Sequence, residues 1–163
     1  MGKKYLVRLA LPEDLPVLLQ VYAGARRFMA QNGNPNQWGS NNPPEEVLRE
    51  DIRKEQLYVL CDQDRICGVF AFILGEDPTY GKIYEGAWRS DAPYGTLHRV
   101  AGDGSGGVFA AAVGYALTKC PHLRVDTHAD NKPMQRAILR AGFCKCGIIY
   151  IADGTPRIAY ERT

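Results

Sequence analysis

The chain has 163 residues, 45% of them apolar, with 20 basic against 18 acidic side chains and a net charge of +2. That length suits one domain, and that apolar share excludes a largely disordered chain. The near balance of charge, without a Lys/Arg run, argues against a nucleic-acid binder, and no stretch approaches the ~20 apolar residues of a membrane span.

Five scattered cysteines without a C-x-x-C pair read as reduced thiols of a cytoplasmic protein. Cys144 and Cys146 lack the second cluster a tetrahedral metal site requires, so no metal is expected. Behind Lys3 and Lys4 the apolar stretch is interrupted at Arg8 and Pro12, which does not suit a signal peptide.

Tyr5–Leu9 reads as a first strand. Pro12 opens a helix with Glu13 and Asp14 in its first turn, and Leu15, Leu18, Leu19, Tyr22, Ala25 and Met29 give its buried face. Asn32–Pro44 is a long polar loop containing Trp38, followed by a helix over Pro44–Gln56. Leu57–Cys61 and Ile66–Leu74 form a hairpin, whose nearly all-apolar second arm belongs in the middle of a sheet. Glu76–Pro93 is irregular, with a short strand conceivable at Ile83–Trp88.

Tyr94–Ala101 is the next strand, Gly102–Gly107 a glycine-rich turn and Val108–Lys119 a helix of small residues. Leu123–Thr127 is a strand, Pro133–Ala141 a helix stopped by Gly142, and Phe143–Ile151 and Ile158–Tyr160 are closing strands. This order predicts an α/β (α+β) chain, a mixed sheet with helices on both sides, without linker or repeat over 1–163.

The turn Gly102-Asp103-Gly104-Ser105-Gly106-Gly107 stands between a strand and a helix, where exposed backbone N–H groups cradle a phosphate. It is also compatible with a plain flexible connection. The spacing G-x-G-x-x-G, with Asp126 about 20 residues on, matches a dinucleotide fingerprint. That fingerprint normally opens its domain, whereas here most of the chain precedes it. A P-loop is excluded, because no Lys followed by Ser or Thr comes after the turn.

The run Arg124-Val125-Asp126-Thr127-His128-Ala129-Asp130-Asn131-Lys132-Pro133-Met134-Gln135, leading to Ala141-Gly142-Phe143, ends a strand in an Asn-bearing turn, starts a helix at Pro133 and closes it with Gly-Phe. It resembles the second cofactor motif of the GNAT superfamily of N-acetyltransferases. The strand, turn and small-residue helix before it resemble that family's pyrophosphate motif, and the element order matches over nearly the whole chain.

The resemblance implies a GNAT fold, a central mixed, mostly antiparallel sheet flanked by helices, with the Tyr94–Ala101 and Leu123–Thr127 strands splayed around acetyl-CoA. It implies a cofactor lying against Val100 and Ala101, its pyrophosphate on the N–H groups of Gly106, Gly107, Val108, Phe109 and Ala110, and Asn131 beside the pantetheine, with Met134 also at the cofactor. It implies a small-molecule or peptide amine as acceptor, direct transfer without metal, and a homodimer, as is common in the family. Two departures stand out. Phe109 occupies a place where a small residue is usual and the loop lacks the usual basic residue; and Ile138 and Leu139 stand where many members carry a Tyr acid. A thiol with a pKa near 8.5 leaves readily without such an acid. These departures keep an acyl-CoA-binding protein without turnover as the rival reading.

An attacking amine must lose a proton. Period-two alternation puts His98 on one strand face with Thr96 and Val100, so His98 is the candidate base, with a hydrogen-bonded core histidine as the alternative. Asp126 and His128 share a face of the next strand and could orient the amine, or merely cap the following turn. Glu85 is a second catalytic candidate, as an attractor of a cationic amine, or a solvated carboxylate. Trp38 and Trp88 wall the acceptor pocket or simply pack. Tyr150 reads as core and His122 as surface.

Overall fold

The computed structural model describes residues 5–39 and 41–163; Lys3 and Lys4 lie outside them. Seven strands form one sheet: β1 (Leu6–Leu9), β2 (Leu57–Asp62), β3 (Arg65–Leu74), β4 (Gly95–Gly102), β5 (Leu123–Thr127), β6 (Cys144–Tyr150) and β7 (Pro156–Arg162). Their spatial order is β1-β2-β3-β4-β5-β7-β6. Every neighbouring pair is antiparallel except β4 and β5. The helices are α1 (Leu15–Gln31), α2 (Glu45–Arg53), α3 (Val108–Leu117) and α4 (Lys132–Arg140). None of them is long and apolar enough to cross a membrane.

The apolar pattern assigns each helix to a side. Leu18, Val21, Tyr22 and Leu48 from α1 and α2 pack on Val59, Val69, Ala71 and Ala101. On the opposite face, Phe109, Ala112, Val113 and Ala116 of α3 and Ile138 of α4 cover Leu60, Phe70, Phe72, Leu97 and Val125. β3 is therefore buried on both faces from Cys67 to Phe72, as its apolar run predicts. A third cluster of Tyr80, Tyr94, Ile149 and Ala159 forms under the 76–93 segment.

That segment contains no strand. It has a single 3-10 turn at Pro78–Tyr80 and one isolated bridge, Tyr84 to Ile148. Gly86 explains how close it lies: a Cβ there would come within 1.9 Å of the Cys146 carbonyl oxygen. Tyr150 is not core; it is exposed at the end of edge strand β6 and meets Tyr84 edge-on.

Two features shape the centre of the sheet. β4 and β5 pair only at Gly95–Leu123 and Thr96–Arg124, and diverge beyond. At this closed end Glu161 lies fully buried between His122 Nε2 (2.6 Å) and Arg124 Nε (3.2 Å) and accepts from the Arg89 N–H. The Arg124 guanidinium is sandwiched 4.0 Å from the Trp88 ring and 4.1 Å from the Tyr94 ring. Burial alone would raise the Glu161 pKa; the hydrogen bonds from His122 and Arg89 and the two cations outweigh it and lower it. His122 is therefore a buried anchor rather than surface, because a carboxylate on β7 claims its ring.

The second feature is a bulge in β4. Opposite residues of an antiparallel ladder share a face. Ala71 faces His98, while Val69, two residues earlier on the same face, is opposite Ala101, three residues after His98. β4 thus carries one extra residue, and Arg99 takes a φ of 52° to accommodate it. The Tyr22 hydroxyl donates to the Arg99 carbonyl at 2.6 Å, and the Arg99 guanidinium grips Asp51 of α2 with both arms, at 2.8 and 3.1 Å. The bulge overturns the alternation: His98 shares its face with Thr96 and Ala101, whereas Val100 turns to the α3 side.

Asp51 is almost fully buried, so removing it leaves a cation facing an apolar layer. Asp51→Ala is expected to lower unfolding stability by about 3 kcal/mol in a urea titration, the low end for a broken buried pair because Arg99 keeps a water-facing edge.

Candidate functional site

The cleft opened between β4 and β5 is a cavity of about 420 Å³. Leu97 to Val100 line one wall and Val125 to Thr127 the other, with Trp38, Asp77, Asn131, Met134 and Arg157 around them. A groove of about 780 Å³ runs from its mouth along α1, past Val100, Ala101 and Gly102, to the glycine turn and Val108. Met29, Val100, Asn131 and Met134 border both spaces, so the two meet there.

At the far end of the groove the glycine turn runs into α3. Gly104, Gly106 and Gly107 have φ of 94°, 89° and 74°, the left-handed conformation that side chains resist. A Cβ at Gly104 or Gly106 would meet nothing within 4 Å, so both present bare backbone. No side chain caps α3; its first internal bond is from Ala111 N–H to Gly107 O, and the N–H groups ahead of it face outward. Phe109 does not crowd this end. It is turned into the core against Phe143, while Ala110 is the exposed residue of the first turn. Arg65 of the β2–β3 hairpin reaches the turn, donating to Ser105 Oγ at 3.1 Å and lying 3.6 Å from Asp103. A basic group is therefore present at the loop, supplied from a distant part of the chain.

Inside the cleft, His98 Nε2 lies 2.7 Å from Asp77 Oδ2. The other oxygen of Asp77 accepts from the Thr79 N–H and hydroxyl at 2.8 and 2.7 Å. Burial would raise the Asp77 pKa, but these bonds, that from His98 first, pull it down to about 2. An ionised carboxylate only accepts, so Nε2 carries the proton, and in the neutral ring the lone pair is then on Nδ1. Nδ1 has no hydrogen-bond partner among the described residues.

On the opposite wall Asp126 Oδ1 accepts from the Tyr80 hydroxyl at 2.6 Å. Burial, then the charge of Asp126, pushes the Tyr80 phenol well above its usual range and keeps it a donor. Asn131 caps α4, its side-chain oxygen accepting from Met134 N–H at 3.2 Å, and its amide donates to Gln37 Oε1 at 3.1 Å. Gln37 also takes a bond from Asn34 within its own loop, and the Arg157 guanidinium donates to the Gln37 carbonyl at 3.2 Å, so Gln37 is held to the cleft from α4 and β7.

The remaining candidates scatter. β5 ends at Thr127, so alternation no longer carries His128 to the Asp126 side; its Nδ1 accepts from Asp130 N–H at 3.0 Å and caps the turn. Glu85 is exposed and borders neither space. Trp88 donates to the Tyr80 carbonyl at 2.9 Å and stacks on Arg124, behind the wall rather than in it. Trp38 does line the cavity, its ring 5.6 Å from that of Tyr22. Sequence reasoning overlooked Asp77, Gln37 and Arg157. Asp77 had a signal, since Asp-Pro-Thr is an acidic cap on a short turn. The other two had none.

No protein-family model and no curated protein sequence matches the chain. Solved structures do. A GNAT-family acetyltransferase from Streptococcus agalactiae superposes with a TM-score of 0.86 and 28% identity, covering 97% of this chain and 94% of its own. A ribosomal-protein-alanine N-acetyltransferase from Brucella melitensis (TM-score 0.61, 18% identity, 96% and 98% covered) shares the fold. So does a chain of the NatC complex bound to Gag peptide and CoA (TM-score 0.61, 12% identity, 98% of each). The chain belongs to the GNAT superfamily. The dinucleotide reading of the glycine turn falls with this, since a doubly wound sheet is mostly parallel and only β4 and β5 are parallel here.

The depressed Asp77 carboxyl gives a pH test. Its folded pKa lies below the ordinary carboxylate value near 4, so its contribution is complete above that value and is lost as pH falls towards about 2. Urea titrations from pH 5 to pH 2 are expected to show wild type losing on the order of 2 kcal/mol more than Asp77→Asn.

Proposed function

We propose that this protein transfers the acetyl group of acetyl-CoA directly to an amine bound in the β4–β5 cleft. The observation that carries the reading is continuity. A groove starting at an uncapped helix N-terminus leads to a cleft between parted parallel strands, and a histidine with a free ring nitrogen stands in that cleft.

The residues present fit acetyl-CoA. Bare backbone at Gly104 and Gly106 lets a phosphate come close, the N–H groups opening α3 are free of side-chain caps, and Arg65, shared with Asp103, reaches the same turn. Val100 and Met134 offer apolar contact where groove meets cleft. The edge of β4 beyond Thr96 has no ladder partner in β5, which leaves backbone groups there for an extended, amide-bearing arm. When bound, acetyl-CoA supplies an activated acyl thioester.

The rest of the work belongs to the chain. Asp77 fixes the tautomer and orientation of His98, so that Nδ1 receives the proton of the attacking amine. Asp77, ionised throughout the neutral range, stabilises the imidazolium that results. Trp38 and Gln37, the latter held by Asn131, line the cleft and restrict water there. Ile138 is buried at the cavity wall, so α4 offers no acid to the departing thiol there, which then leaves as thiolate. That same feature favours, as a second reading, a binder of acyl-CoA without turnover. Stabilisation by acetyl-CoA with no thiol release from any amine supports it.

His98→Ala is expected to slow thiol release with a mixed amine panel by about 100-fold while acetyl-CoA still raises the melting temperature. An unchanged pH–rate profile in that variant removes His98 from the mechanism. Ala110→Asp separates binding from folding: a carboxylate at the helix start favours α3 itself, yet is expected to weaken acetyl-CoA binding at least tenfold by calorimetry.

A further inference from the structure

The charges around the cleft pair off unevenly. Asp77 is held by His98 and Thr79, and Arg99 by Asp51. Asp126 and Arg157 remain. Asp126 takes one bond, from Tyr80, on Oδ1, and Oδ2 has no partner among the described residues. Arg157 is 4% exposed and lines the cavity, yet no carboxylate lies within ion-pair distance of it among the described residues. Its Nη1 donates to Thr155 Oγ1 and the Pro156 carbonyl, and its Nη2 to the Gln37 carbonyl. Of the five N–H groups of a guanidinium, Nε–H and one on Nη2 stay unassigned. A buried arginine is ordinarily paired with an anion. Burial lowers the pKa of this one, and the charges of Asp126 and Asp153 offset that only in part.

The sheet puts the two groups side by side. Asp126 is opposite Ala159, and Arg157 lies two residues from Ala159, hence on the same face as its diagonal neighbour. His98 projects from that face too, since Thr96 is in register with Arg124, two residues before Asp126. A cation site, an anion site and a base therefore border one cavity of about 420 Å³, at the small end of ligand sites.

Resting on the acetyltransferase reading, we infer that the acceptor is a small zwitterion, a free α-amino acid, with its carboxylate on Arg157 and its ammonium on Asp126 beside His98. A planar guanidinium fork matches a carboxylate, and a polyamine or peptide amide would leave Arg157 buried without an anion.

The test is thiol release from acetyl-CoA by the full chain, with each of the twenty amino acids beside its own carboxamide, a polyamine and a tripeptide amide. At least one amino acid is expected to exceed its carboxamide about 30-fold or more in kcat/KM. Arg157→Gln is expected to bring that ratio within about threefold, and Arg157→Lys to restore part of it. Asp126→Asn is expected to raise KM for acid and amide alike without changing their ratio. If Arg157→Gln does not fold, the wild-type ratio decides. Equal or better turnover of amides, polyamine or peptide, or no release from any of the twenty, overturns the inference while acetyl-CoA stabilisation leaves the cofactor site standing. Absence of any stabilisation by acetyl-CoA overturns the underlying reading itself.

Discussion

The bulge at Arg99 is the constraint around which the centre of the molecule is arranged. A non-glycine residue with φ of 52° in mid-strand is unfavourable on its own, and persists where its surroundings hold it from several sides. Here Tyr22 of α1 holds the carbonyl and Asp51 of α2 holds the guanidinium, so both helices on that face converge on one backbone distortion. The distortion leaves His98 on the Thr96 face, towards the Asp126 wall, and turns Val100 towards α3. A regular strand would have put both side chains on one face.

The opposite end of the same strand pair is locked as firmly as the bulge end is held apart. Arg124, between two aromatic rings and bonded to buried Glu161, ties β5 to β7 and to the 76–93 segment. Buried charge networks contribute little net stability against an apolar substitute, but they admit few alternative arrangements. A cleft that is rigid at its apex and braced at its mouth holds His98, Asp126 and Arg157 at fixed separations.

Much of the scaffold was legible in the residues because its causes are local. The apolar run of β3, Asn131 before Lys132-Pro133 at the start of α4 and the glycines ahead of α3 each name their element by period, cap or backbone freedom. The glycine-turn end of the groove was legible for the same reason, since bare glycine backbone and a helix start are adjacent in sequence. The cleft was not. His98–Asp77 spans 21 residues and the Gln37 contacts with Asn131 and Arg157 span 94 and 120. No periodicity encodes such partners.

The errors have the same origin. Alternation counted from Thr96 to Val100 is sound for a regular strand and fails at a single inserted residue, which only the pairing with β3 reveals. His122 looked like surface because its partner Glu161 lies 39 residues away, and Tyr150 looked like core because nothing local says that β6 is an edge. By itself the sequence determined the order of strands and helices, the glycine turn and the Asn-Pro helix start, all set by short-range sterics and hydrogen bonding. The tertiary structure alone decided where β4 and β5 part, which way Val100 faces, and that Asp126 and Arg157 share one wall, because strand register and long-range charge pairing depend on the whole sheet at once.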